Sequence, residues 1–181
     1  MDAGKQTTAH GRSRGKLREF STQLAERLKA ATSTTKEPMR LAVRIAGANY
    51  LLDMQSTGEI VPLPPVAPVP WTRPWFRGLA NVRGRLIGVV DLLQLAGGNA
   101  LPAEQSQQLL VLGESLGVNG GLLVTRAFGL RNLKELESLG AAAPGAAPWE
   151  AARWRDLDGN LLTELDLGAL VAAEAFATIG T

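Results

Sequence analysis

Few side chains in this sequence could do covalent chemistry. Cysteine is absent and histidine occurs once, at His10, which removes thiolate nucleophiles, disulfides and cysteine-based zinc sites together. His10 lies between Ala9 and Gly11 in a run of small and basic residues with no apolar periodicity to hold it, whereas a general base must be fixed within hydrogen-bond reach of its proton. The carboxylates remain. Glu135 and Glu137 sit beside Lys134 on a polar segment, and Asp156 and Asp158 precede Gly159 in a pattern that turn formation explains. Neither pair is set among apolar residues that would push two pKa values apart. Neither G-x-G-x-x-G nor G-x-x-x-x-G-K-S/T occurs, so no phosphate loop is expected. The residues point away from an enzyme, with no catalytic group, cofactor or metal, and towards recognition between surfaces. Arg83 and Arg85 flank Gly84, and on the residues alone Arg83 reads as a solvated charge beside a turn.

Those arginines fall inside WFRGLANVRGRLIGVVDL, residues 75–92, which reads as two strands about one tight turn. Gly at the first central position of a two-residue loop suits a type II′ turn. The expected loop is therefore Gly84-Arg85, with Arg83 facing Leu86, Val82 facing Ile87 and Ala80 facing Val89. Side-chain alternation then gathers Ala80, Val82, Ile87 and Val89 on one dry face and leaves Asn81, Arg83 and the gap at Gly88 on the other. Asp91, just before Leu92-Leu93-Gln94-Leu95, is placed to cap a short helical turn.

The string Trp75-Phe76-Arg77-Gly78-Leu79-Ala80-Asn81-Val82-Arg83-Gly84, followed by Val89-Val90-Asp91-Leu92, resembles the signature segment of CheW-like domains. A second match lies at Gly121-Leu122-Leu123-Val124 and Phe128-Gly129, and the resemblance covers residues 38–176. It implies a mainly β fold of two small five-stranded SH3-like β-barrels. It also implies a non-enzymatic adaptor that joins the regulatory domain of a CheA-like histidine kinase to the cytoplasmic tip of a methyl-accepting chemoreceptor. Within the family the chain most resembles the PilI type, which serves twitching motility driven by type IV pili; a flagellar chemotaxis adaptor is the alternative. Carried onto this sequence, the resemblance makes Arg83 the leading partner-binding residue, with Gly78, Asn81, Arg85 and Trp75 around it. Thr125 and Arg126 stand in the second motif, where the family usually has an acidic residue, so the local charge is inverted there. Gly88 stands where proline is common, which implies a looser strand.

The chain of 181 residues is long enough for a sizeable core, and 45% hydrophobic content is ordinary for a globular protein. No run approaches the ~18 apolar residues of a membrane span, and the N-terminus lacks the apolar core of a signal peptide, so a cytoplasmic protein without membrane insertion is expected. Charge is uneven: residues 1–36 carry eight basic and three acidic side chains, while the remainder carries eleven and fourteen. A basic arm on a small barrel is the basis of a rival reading as a nucleic-acid-binding protein. Against it, aromatic residues make up 5% of the chain and none alternates with basic ones, as a stacking platform would require.

The elements that must position the hairpin follow from periodicity. Residues 1–37 read as a basic tail, an amphipathic helix over residues 16–31 with Leu17, Phe20, Leu24, Leu28 and Ala31 in one stripe, and a linker. Residues 38–181 form the body. Leu41, Val43 and Ile45 alternate with Arg40, Ala42 and Arg44 as a half-buried strand, a turn at Gly47 and Asn49 leads to a return strand over residues 50–54, and Glu59, Ile60 and Val61 begin another. Six prolines between Pro62 and Pro74 demand an extended connection. Residues 97–107 divide the body, strands before Gly97 supplying most of one barrel and strands after it most of the other. A strand pair over residues 108–112 and 116–125 follows, with bulges suggested at Gly117, Gly120 and Gly121. The Ala/Gly/Pro run over residues 139–148 is expected as a loop, residues 154–165 as a hairpin with a type I′ turn at Asp158-Gly159, and residues 167–177 as a C-terminal helix capped by Asp166.

Overall fold

The computed structural model describes residues 39–101 and 108–181. The basic tail, the helix expected over residues 16–31 and the linker, with His10, lie outside the described residues. The described chain is mainly β. It runs β1 (Met39–Ile45), β2 (Ala48–Asp53), β3 (Thr57–Pro62), β4 (Val66–Ala67), β5 (Phe76–Val82), β6 (Arg85–Val90) and the short helix α1 (Leu92–Leu95). It continues through β7 (Gln108–Leu112), β8 (Gly120–Val124), β9 (Arg126–Asn132), β10 (Glu137–Ala141), β11 (Glu150–Arg155), β12 (Leu161–Leu165), α2 (Leu167–Ala172) and α3 (Glu174–Ala177).

The strands form two six-stranded sheets, one for each of the two small β units expected. Sheet I has the order β3-β7-β8-β6-β5-β4 and sheet II the order β10-β11-β12-β2-β1-β9. Each draws four strands from one side of residues 97–107 and two from the other: β7 and β8 return to sheet I, and β1 and β2 belong to sheet II. That segment therefore divides the chain without dividing the sheets. One parallel contact in each sheet accommodates the exchange, β6 with β8 and β12 with β2.

Three clusters of buried side chains follow from this layout. The largest lies between the sheets and joins Val43, Ile45 and Leu52 of sheet II to Val90, Leu110 and Leu122 of sheet I, with Trp75, Trp149, Leu170 and Phe176 among them. The second fills sheet I from its other face with Ala80, Val82, Ile87, Val89, Leu101, Leu109, Val111 and Leu123. The third, on the outer face of sheet II, has only Ala42, Leu51 and Leu162 fully buried, fringed by Phe128, Leu133, Leu136 and Trp154. Ala42 thus points away from Val43 and Ile45, as alternation requires, but is covered.

Local chemistry explains most boundaries. Asp91 is wholly buried and its carboxylate accepts from the N–H groups of Gln94 (3.2 Å) and Leu101 (2.8 Å), while Arg77 Nη1 lies 3.5 Å away. It caps α1 as expected and ties the chain beyond α1 back to it. Asp166 caps α2 through the Ala169 N–H at 2.9 Å. The helix expected over residues 167–177 is broken at Ala173, whose ψ of 134° is extended. The break lets Phe176 turn inward and stack on Trp75, with centroids 6.1 Å apart and planes 18° from parallel.

Three other expectations are corrected. The Ala/Gly/Pro run contains the end of strand β10, which pairs with β11. The β11–β12 connection is not a two-residue type I′ turn: it spans residues 156–160, and only Gly159 in it has positive φ. The Asp156 carboxylate organises it by accepting from Asp158 N–H (3.0 Å), Asn160 N–H (2.7 Å) and Asn160 Nδ2 (2.9 Å). Finally, β7 and β8 pair without a bulge from Gln108↔Val124 to Val111↔Gly121. Gly117 instead ends a 3-10 turn over Glu114–Leu116.

Candidate functional site

The loop of the β5–β6 hairpin is Arg83-Gly84, one residue earlier than expected. Val82 pairs with Arg85, Asn81 with Leu86 and Ala80 with Ile87. Both loop residues have positive φ, 51° at Arg83 and 85° at Gly84, which is type I′ geometry. Asn81 supplies the reason: its Oδ1 accepts the Gly84 N–H at 2.8 Å and closes the turn from the side. Moving a two-residue loop by one position slides the strands by two residues. Sheet faces are therefore preserved, and Ala80, Val82, Ile87 and Val89 are buried as a set.

Arg83 consequently sits in the turn itself, with its side chain 78% exposed, and its Nη2 pairs with Glu59 Oε2 at 2.8 Å. Glu59 lies on β3, at the far edge of sheet I from β4. In a flat sheet β3 would stand three to four strand spacings from the hairpin, about 14–19 Å, so the pair requires a strongly curled sheet. Arg85 Nη1 pairs with Glu114 Oε1 at 3.0 Å and its Nη2 donates to Asn119 Oδ1 at 3.1 Å. The hairpin tip thus presents two guanidiniums, each oriented by a carboxylate of its own chain and each with donors left over, beside the exposed Leu86. Sequence reasoning did not single out Glu59 and Glu114, since only the curl of the sheet brings them to the turn.

The other expected site residues divide. Asn81 and Arg85 join Arg83 at the tip. Gly78 does not: it is buried at a bulge in β5 with φ of 128°, and a Cβ there would lie 2.1 Å from the Ala67 carbonyl oxygen, so it is the residue that lets β4 lie against β5. Trp75 is 6% exposed, packs edge-on against Phe76 and stacks on Phe176. It is a core residue that also forms part of the wall of an apolar pocket. Thr125 is the bend between β8 of sheet I and β9 of sheet II, its N–H donating to the Arg44 carbonyl at 2.8 Å, and Arg126 opens β9 with its guanidinium 5.5 Å from the Phe128 ring centroid. Gly88 does not loosen its strand. Its N–H donates to the Asn119 carbonyl at 2.8 Å, and the Phe76 ring occupies the space that a side chain there would need.

One carboxylate of each pair has a structural partner. Glu137 meets Arg155 at 3.0 Å, and the hydrogen bond from Asn160 holds the Asp156 carboxyl below its ordinary pKa. Among the described residues no group of three or more His, Cys, Asp or Glu could hold a metal ion, and no helix is long and apolar enough to cross a membrane.

Comparison with known proteins agrees with this architecture. The chain is 31% identical over 110 residues to Protein PilI of Pseudomonas aeruginosa, covering 61% of each protein. It is 27% identical over 108 residues to Chemotaxis protein CheW of Thermotoga maritima, covering 60% of this chain and 70% of that protein. The crystal structure of the scaffolding protein TtCheW from Thermoanaerobacter tengcongensis superposes with a TM-score of 0.63 at 18% identity, over 77% of this chain and 95% of that one. That likeness supports the fold. The family model of the CheW-like domain matches residues 40–175, which include strands of both sheets, and the chain belongs to the CheW-like domain family.

Proposed function

We propose that this protein is a non-enzymatic adaptor of a chemosensory pathway in the cytoplasm, coupling a chemoreceptor to a CheA-like histidine kinase. We place it in a pathway controlling type IV pili and twitching motility. The observation that carries the reading is the type I′ turn that holds Arg83 outward, 78% exposed and oriented by Glu59. A charged side chain pre-oriented on a rigid hairpin loses little freedom when a partner arrives, which favours a binding hot spot over an idle surface charge. Family membership supports the adaptor role, and the similarity to Protein PilI supports the pilus-linked branch over flagellar chemotaxis.

Replacing Arg83 with Ala separates a docking residue from an ordinary surface charge. On an idle surface the change alters stability by less than about 0.5 kcal/mol. At a hot spot it costs about 2 kcal/mol of binding, roughly thirtyfold in affinity. The expected result is an unchanged melting temperature with at least that loss of affinity for the kinase regulatory domain or the receptor tip, measured by titration calorimetry. Unchanged affinity for both would remove Arg83 from the site. Co-purification of a flagellar receptor and kinase, in place of those linked to pili, would reassign the pathway and leave the adaptor role intact.

A further inference from the structure

Sheet II carries a charged feature that the hairpin site does not use. Arg44 of β1 and Arg126 of β9 are directly opposed in an antiparallel pair. Both guanidiniums lie against one aromatic ring, Arg44 at 5.1 Å and Arg126 at 5.5 Å from the Phe128 centroid. The ring is held there by a bulge in the edge strand β9: the register shifts between Ala42 and Val43, and Phe128 packs against the small outer core. Like charges placed directly opposite each other repel, and a carboxylate between them would normally offset this. Arg40, Arg77, Arg83, Arg85 and Arg155 each have such a carboxylate. Arg44 and Arg126 have none within ion-pair distance among the described residues. Arg44 Nε instead donates to Asn49 Oδ1 at 3.0 Å, which fixes the side chain and leaves its two Nη groups free.

A polar cavity of about 120 Å³ opens beside the ring, with Arg44, Asn49, Phe128, Arg131, Asp156 and Asp158 in its lining and Arg126 outside it. Liquid water takes about 30 Å³ per molecule, so the space suits the end of one side chain and is too small for a nucleotide. Asp156 and Asp158 in the lining offset Arg44 and Arg131, so the cavity itself does not select an anion; the cation pair without a carboxylate is Arg44 with Arg126 at the Phe128 ring. Hydrogen bonding from Asn160 and the nearby Arg131 charge hold the Asp156 carboxyl below its ordinary pKa.

We propose that Arg44, Arg126 and Phe128 form a second docking point on this protein, which takes a Glu or Asp side chain from a partner protein, the carboxylate bridging the two guanidiniums over the aromatic ring. The point is separate from the Arg83 hairpin and does not rest on it. It also gives a physical sense to the basic residue in the second motif, where the inverted charge calls for an acidic partner.

The test uses the full ¹⁵N-labelled chain, titrated with a decapeptide of glutamate and, separately, with a single-stranded DNA 10-mer. The arginine Nε–H resonances report which cations are engaged. The expected result is a saturable shift at Arg44 and Arg126 with the peptide. The Arg44→Gln/Arg126→Gln double variant should bind labelled peptide at this surface at least tenfold more weakly. Arg83→Ala should leave the peptide shifts unchanged, so loss of the hairpin site and loss of this one are distinguishable. Two outcomes would overturn the proposal: resonances of Arg44 and Arg126 that stay still while other cations saturate, or tighter engagement of those two resonances by the oligonucleotide.

Discussion

The two sheets solve the same packing problem with different amounts of material. Sheet I closes over eight buried residues, and its turn at Arg83-Gly84 is locked by the uncharged amide of Asn81. Sheet II closes over three, borrows Phe128, Leu133, Leu136 and Trp154 from its rim, and organises its β11–β12 loop with the ionised carboxylate of Asp156. Burial of apolar area sets rigidity, because each buried side chain loses its contacts if the sheet opens. The difference teaches that one chain holds a stiff platform, on which an exposed guanidinium can be fixed in space, beside a thinner one with a polar cavity at its edge.

The sharpest way to break this comparison is to excise a leucine from each interior. Leu109 and Leu51 are both fully buried. In the filled interior of sheet I, Leu109→Ala leaves a void that tightly packed neighbours cannot close and should cost about 4 kcal/mol. In the sparse interior of sheet II, Leu51→Ala has a rim that can relax inward and should cost about 2–3 kcal/mol. Denaturant titration of both variants checks the difference, and equal losses would remove the contrast in packing.

A second substitution probes how sheet I holds its edge. Gly78→Ala places a Cβ 2.1 Å from the Ala67 oxygen at a φ of 128°. Backbone strain and overpacking together should cost about 3 kcal/mol. The loss should appear as release of β4, seen as faster amide exchange at residues paired with it, while sheet II stays protected. The thirtyfold loss expected for Arg83→Ala is comparable to about 2 kcal/mol, but it falls on binding and leaves folding unaffected.

The smallest effect is that of pH. The folded-state pKa of Asp156 lies below its ordinary value. Its contribution is therefore fully present at neutral pH and is lost as pH falls through the ordinary carboxylate range towards the folded value. Because the group is near solvent, the effect should be local. On acidification the Asn160 amide should lose protection before the Gly84 amide, whose acceptor does not titrate. Asp156→Asn should abolish the difference, as followed by hydrogen exchange between pH 5 and pH 2.

Much of this architecture was legible because it is local. The alternation in residues 39–45, the proline-rich connection and the caps at Asp91 and Asp166 depend on near neighbours, and all were found where periodicity and side-chain chemistry put them. The dry face of the central hairpin was also legible, although its turn was displaced. Gly84 satisfies either turn type, and arginine is a poor clue to the left-handed first position that Asn81 stabilises. What could not be read was set by distance. Nothing near Ala173 signals a helix break that serves a stack between Phe176 and Trp75, a hundred residues apart in the chain. The β10 strand hid in a run without alternation because, as an exposed edge, it buries almost nothing. The hairpin guanidiniums were chosen from the motif, but their carboxylate partners and the demotion of Trp75 to the core came only from the three-dimensional arrangement.

The exchange of strands between the sheets bears on how such a molecule can be divided. A break in the chain between Leu101 and Gln108 would leave sheet I without β7 and β8 and would part β1 and β2 from β9 and β12. No single cut in the chain therefore yields two intact platforms.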